Sequence, residues 1–159
     1  MIRKISTKNL LDVYDFINEC DDRYFEFYIT INKERFFPKN NLNLLKKLIL
    51  TQQCFGEFDS QLNGIIIIYS EKTFRPYLKI LVKDRKTCNN LLLYLLWHHS
   101  NKDLFIKLKR GNPLSREFQN KGFTFLGARG TEILLKRIAT PIRKLEPKDG
   151  IEDEEIRLY

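Results

Sequence analysis

The sequence predicts a single α/β domain of the α+β kind, in which helices flank a mixed, largely antiparallel sheet. Three observations predict it. Residues 52–58 and 65–69 are β-branched and aromatic arms around a polar turn at Asp59-Ser60-Gln61, and a third apolar arm follows at 77–82. Apolar residues spaced three and four apart occur both before and after these arms. Residues 111–137 read as a short capped helix, a Lys-Gly-Phe stop and a two-stranded hairpin.

Each element has a local reason. Residues 2–6 suit a first strand, and Thr7 is a fair N-cap for a helix with Leu10, Val13, Tyr14 and Ile17 on one face. Asn40 or Asn41 caps a second helix whose Leu42, Leu45, Leu48 and Ile49 form a buried stripe. Leu62-Asn63-Gly64 leads into the second arm, and the connection containing Pro76 reverses the chain into the third. Asn89 or Asn90 opens an apolar helix over 91–97, and 104–108 returns as a strand. Asn112 followed by Pro113 is an N-cap with proline at the first helical position. Gly122 then supplies the left-handed residue that ends this helix, and Phe123 packs back on its last turn. Strands at 124–127 and 131–136 close the chain's ordered part.

This order, with Gly64 opening the second arm and Gly122-Phe123 closing the last helix, resembles the GNAT superfamily of acyl-CoA-dependent N-acyltransferases. The resemblance covers residues 1–140 and implies transfer of an acyl group, acetyl in the first instance, from acyl-CoA to an amine of a small molecule or protein. It implies that acyl-CoA lies across Leu81 and Val82 and the following segment Arg85, Lys86, Thr87, Cys88, Asn89 and Asn90. In the family a glycine-rich turn there wraps the pyrophosphate at a helix N-terminus, where backbone N–H groups point outward. With Arg85 matched to the family's Arg, Cys88 and Asn90 stand where glycines belong. Asn112 matches an Asn that meets the pantetheine arm if one residue is missing before Gly122; without that gap Gly111 takes the position. Phe118 occupies the place of the family's catalytic tyrosine and has no proton to give. For a general base the candidates are Glu57, Asp84 and Glu132, and Glu132, directly after a hairpin turn, ranks first.

Composition bounds the alternatives. A chain of 159 residues with 43% hydrophobic content builds one ordinary core. The apolar runs at 64–69 and 91–97 are too short to span a bilayer, and no secretory hydrophobic region opens the chain, so a cytoplasmic protein without a membrane partner is expected. Cys20, Cys54 and Cys88 fall in separate elements without Cys-x-x-Cys spacing, which argues against disulfides and zinc. His98 and His99 are adjacent, roughly 100° apart on a helix, and chelate poorly together, so no metal is expected.

The formal charge is +8, from 28 Lys and Arg against 20 Asp and Glu. Residues 141–159 carry four basic and six acidic side chains, which leaves +10 on the preceding part. With Pro141, Pro147 and Gly150 and little apolar periodicity, 141–159 read as an extended or disordered acidic tail. The basic body keeps a second function in view, a catalytically inactive GNAT-like module that binds nucleic acid or an acidic partner. Tyr24, Phe25, Phe27, Tyr28, Phe36 and Phe37, interleaved with Arg23, Lys33 and Arg35, suit base stacking, although core packing is favoured for Phe25, Tyr28 and Phe36. Oligomeric state is left open.

Overall fold

The structure is a computed structural model that describes residues 1–20, 27–70 and 75–140. The acidic tail and Arg23, Tyr24 and Phe25 lie outside the described residues. Strand β1 (Ile2–Lys4) leads through a short 3-10 turn, Thr7–Asn9, into helix α1 (Leu10–Glu19). Ser6, one residue earlier than expected, caps that turn. A hairpin of β2 (Ile29–Ile31) and β3 (Glu34–Phe36) precedes α2 (Leu42–Thr51), and Asn41 caps α2 through Leu44 N. Then come β4 (Gln53–Phe58), β5 (Leu62–Ser70), β6 (Pro76–Val82), α3 (Arg85–His99), β7 (Leu104–Lys109), α4 (Ser115–Asn120), β8 (Thr124–Arg129) and β9 (Glu132–Arg137).

Among the described residues, seven strands form one sheet in the order β1-β4-β5-β6-β7-β9-β8. Every pairing is antiparallel except β6 with β7, which is parallel. The expected neighbourhood of the third arm and the strand at 104–108 is therefore present. Alternation along β5 and β6 divides the core between the two sheet faces. Ile65, Ile67, Tyr69, Tyr77 and Leu81 pack with Val13 and Ile17 of α1 and Leu45, Leu48 and Ile49 of α2. Ile66, Ile68, Leu78 and Ile80 pack with Leu91, Leu92, Leu95 and Leu96 of α3 and with Phe118.

Two local expectations are met in detail. Gly122 has φ +96°, its N–H donates to Gln119 O, and Phe123 N–H reaches back to Phe118 O. That hydrogen-bond pair is a Schellman ending, and the Phe118 and Phe123 rings meet edge to face at 5.7 Å. Arg137 adds to it from β9, its Nε donating 2.8 Å to Lys121 O.

Three expectations need correction. The β2–β3 hairpin was not anticipated; its turn at Asn32 and Lys33, with φ of +53° and +68°, is the two-residue kind that strand twist favours. Helix α3 begins at Arg85, not at Asn89 or Asn90, because Asp84 is the N-cap and its carboxylate accepts from Thr87 N at 2.8 Å. Asp and Asn cap about equally well, so the helix starts at the earlier of them once the chain can turn right after β6. Asn112 does not cap α4 either: it accepts from Leu114 N at 2.8 Å, closing a separate turn before the helix starts at Ser115.

Candidate active site at the parting of two strands

The parallel pair β6 and β7 is joined in register at Tyr77 with Phe105 and at Leu78 with Ile106. Beyond that, β6 continues to Val82 along β5 alone, so its other edge has no strand partner among the described residues. Backbone polar groups on such an edge need hydrogen bonds from elsewhere. Leu81 and Val82 lie on this free edge, the place the resemblance gives to the pantetheine arm.

On the face shared with α1 and α2, a pocket of about 220 Å³ lies over the parting strands. Its floor includes Lys79 of β6 and Lys107 and Lys109 of β7, its far wall is the Arg129–Glu132 turn between β8 and β9, and Tyr28 and Arg35 close it from the β2–β3 side. Lys79 is only 6% exposed, and its ammonium sits 3.8 Å from the centroid of the Tyr28 ring. The guanidinium of Arg35 lies over that ring too, at 4.3 Å. Cation–π contacts of this kind hold a ring in place between charges.

Glu132 lies in this pocket. The Tyr28 hydroxyl donates to its Oε2, and Arg35 Nη2 stands 3.7 Å from its Oε1. The other two candidate bases are elsewhere. Glu57 Oε1 accepts from Asn90 Nδ2 at 2.8 Å, between β4 and α3, and the Asp84 carboxylate is committed to the start of α3. Hydrogen bonds from Thr87 backbone and side chain hold the Asp84 carboxyl below its ordinary value.

On the opposite side of the sheet the expected acyl-CoA residues divide. Arg85, Lys86, Thr87, Cys88, Asn89 and Asn90 are not a loop; they form the first turns of α3. Thr87 and Cys88 are buried, and burial pushes the Cys88 thiol up to about 12. Arg85 reaches across to α4, 3.3 Å from Glu117, while Lys86 is exposed. Phe118 is wholly in the core. Asn112 is 2% exposed, and its Nδ2 has no hydrogen-bond partner among the described residues, a donor that a ligand carbonyl would satisfy.

These features fit the two ends of acyl-CoA differently. The free edge of β6 and the Asn112 amide suit a pantetheine arm. The helix N-terminus does not offer the family's open anion cradle, because an Asp84 oxygen already takes the Thr87 amide and Gly64 packs directly beneath Thr87.

Of the three candidate bases the pocket holds Glu132, and Tyr28 and Arg35, expected as part of an aromatic and cationic stretch with Tyr28 in the core, meet it there. Alternation in Ile29–Ile31 and Glu34–Phe36 around Asn32-Lys33 was the available signal, since it places Arg35 on a hairpin arm.

The fold is that of the GNAT-family N-acetyltransferases. An N-acetyltransferase from Staphylococcus aureus Mu50 superposes with a TM-score of 0.69 at 13% identity, over 87% of this chain and 97% of that one. A GNAT-family acetyltransferase from Bacillus cereus ATCC 10987 gives 0.65 at 18% identity, over 88% and 97%. A spermidine N-acetyltransferase variant from Vibrio cholerae gives 0.60 at 12%, over 87% and 95%. No protein-family model matches the sequence, and no curated protein matches it.

Proposed function

We propose that the protein is an acyl-CoA-dependent N-acyltransferase that acylates an amine. The supporting observation is the parting of β6 and β7, which leaves a free strand edge beside a pocket holding a hydrogen-bonded carboxylate. Acyl-CoA would supply an activated thioester carbonyl, with Leu81, Val82 and Asn112 holding its arm and Arg85 and Lys86 offering cations for its phosphates at the start of α3. Glu132 accepts the proton of the acceptor ammonium, which frees the nitrogen lone pair for attack. Tyr28 and Arg35 are positioning residues that fix the carboxylate. Phe118 supplies no proton, so the departing thiolate is protonated by water.

Thiol release from acetyl-CoA over a panel of amines tests this. Loss of a general base typically costs about 10²–10⁴-fold, so Glu132→Gln should fall by that order in kcat/KM. Turnover that ignores the substitution would remove Glu132 from the chemistry. A second reading, an inactive GNAT-like module that binds nucleic acid or an acidic partner, draws support from the Asp84 cap and Phe118. It replaces the first if the folded protein releases no thiol with any amine and binds no acetyl-CoA at millimolar concentration.

A further inference from the structure

We propose that the acyl donor is held by its pantetheine arm and not by its phosphates, because Asp84 stands where an anion would be cradled. The site then accepts acyl thioesters of pantetheine with or without the nucleotide of CoA. As a statement about a donor it rests on the acyl-transfer reading; as a statement about which part of CoA binds, it stands on the geometry of β6 and the start of α3.

The arm has a place prepared for it. Past Leu78 the edge of β6 that faces β7 has no strand partner among the described residues. The two amides of a pantetheine chain can pair with such an edge as a short added strand would. Asn112 lies just beyond β7, its backbone N–H donating 3.1 Å to Lys109 O. Its side-chain amide nitrogen is buried and has no hydrogen-bond partner among the described residues, and a buried donor left unsatisfied is costly until a carbonyl meets it.

The phosphate end is set against anions. Only Lys83 and Asp84 separate β6 from α3, too short a connection to wrap a pyrophosphate. The Lys83 N–H donates to Asn63 O at 3.0 Å, and the Thr87 N–H donates to the Asp84 carboxylate at 2.8 Å. Hydrogen bonds from Thr87 hold that carboxyl below its ordinary value, so it is ionised at neutral pH. A helix N-terminus attracts anions through its open N–H groups and its dipole. Here the protein's own carboxylate takes that place, and a phosphate brought to it meets a like charge. Thr87 is buried against Gly64, which fixes the helix start where it is. The cations beside it compensate little. Arg85 is already engaged, its Nε 3.3 Å from Glu117 Oε1 and its Nη2 donating to Pro113 O at 3.5 Å. Lys86 is exposed, and exposed ion pairs contribute little in salt.

Calorimetry on the full chain at physiological ionic strength compares CoA with pantetheine, the same arm without phosphates or nucleotide. We expect dissociation constants within about fivefold of each other, the most that an exposed ion pair gives. One charge-assisted hydrogen bond to a phosphate would instead favour CoA by roughly tenfold or more. Asp84→Asn keeps a good cap and removes the charge. It should raise the affinity for CoA roughly fivefold at low salt, the effect of one neighbouring like charge in water, and leave that for pantetheine unchanged. Asp84→Ser, checked for folding by its thermal melt, serves if the first variant does not fold. A preference of roughly tenfold or more for CoA, no binding of pantetheine, or a CoA affinity that the substitution at Asp84 leaves unchanged overturns the proposal. Thiol release from acetyl-CoA and from S-acetylpantetheine, with the same amines, separates the two readings. Matched binding without thiol release leaves the arm site standing and removes acyl transfer. Thiol release from acetyl-CoA alone, with CoA the tighter ligand, does the reverse.

Discussion

Gly64→Ala tests how the start of α3 is seated on the sheet. A Cβ at position 64 would lie 2.6 Å from Thr87 Cγ2, 2.8 Å from Val82 Cγ1 and 3.2 Å from Leu91 Cδ1. Neither of the two closest groups yields easily. Val and Thr are stiff at χ1, and the Thr87 hydroxyl is also hydrogen-bonded to Asp84, which pins the rotamer. Overpacking of this kind costs about 1–3 kcal/mol, offset by roughly 0.5–1 kcal/mol because alanine loses less backbone freedom than glycine. A net loss of about 1–2 kcal/mol should lower Tm by roughly 2–8 °C for a chain of this size. Thr87→Ser keeps the hydroxyl and removes the offending methyl; alone it should cost about 1 kcal/mol. The double variant should therefore be more stable than the sum of the singles predicts, by about 1 kcal/mol or more, measured by thermal and urea unfolding. Singles that add within about 0.5 kcal/mol, the ordinary result for independent sites, would refute the contact and with it the seating of α3. The same displacement should weaken acetyl-CoA binding if that helix start borders the ligand.

Other expectations follow from named contacts. Tyr28→Phe keeps the ring beside Lys79 and removes the hydroxyl that holds Glu132, so kcat should fall several-fold with less change in acceptor KM; an unchanged kcat would deny the positioning role. Asp84→Ala should cost about 0.5–2 kcal/mol at neutral pH, the usual worth of an N-cap. Because the folded Asp84 carboxyl is held below its ordinary value of 3.8, its stabilisation is present above that value and is lost as pH falls through the lower folded one. Parent and variant should thus converge in strong acid, and a constant gap down to that range would contradict the cap's charge. Burial pushes Cys54 and Cys88 up to about 12 and Cys20 up to about 11, so a thiol reagent at pH 8 should react slowly with folded protein and fully once it is denatured.

Much of the fold was legible because it is written in local chemistry. Gly122-Phe123 ends α4 by a left-handed glycine and an aromatic that returns to Phe118, and both signals lie within a few residues of each other. Leu45, Leu48 and Ile49 face the core because helical spacing leaves them no other stripe. The start of α3 was misread because Asp84 and Asn89 or Asn90 are each adequate caps. The choice between them depends on how soon after β6 the chain can turn onto the sheet, where Gly64 makes room.

The site shows the sharper division. By itself the sequence determined the order of strands and helices apart from the β2–β3 hairpin, the glycine endings, the absence of a proton donor at Phe118 and a short list of carboxylates, since each is a property of one segment. Which carboxylate shares a pocket with which cation was decided only by the tertiary structure. Tyr28 meets Glu132 across 104 residues of chain, and Lys79 and Lys107 share a floor only because β6 and β7 pair in parallel and then part. Strand register and sheet order set those distances, and no local spacing in the chain encodes them.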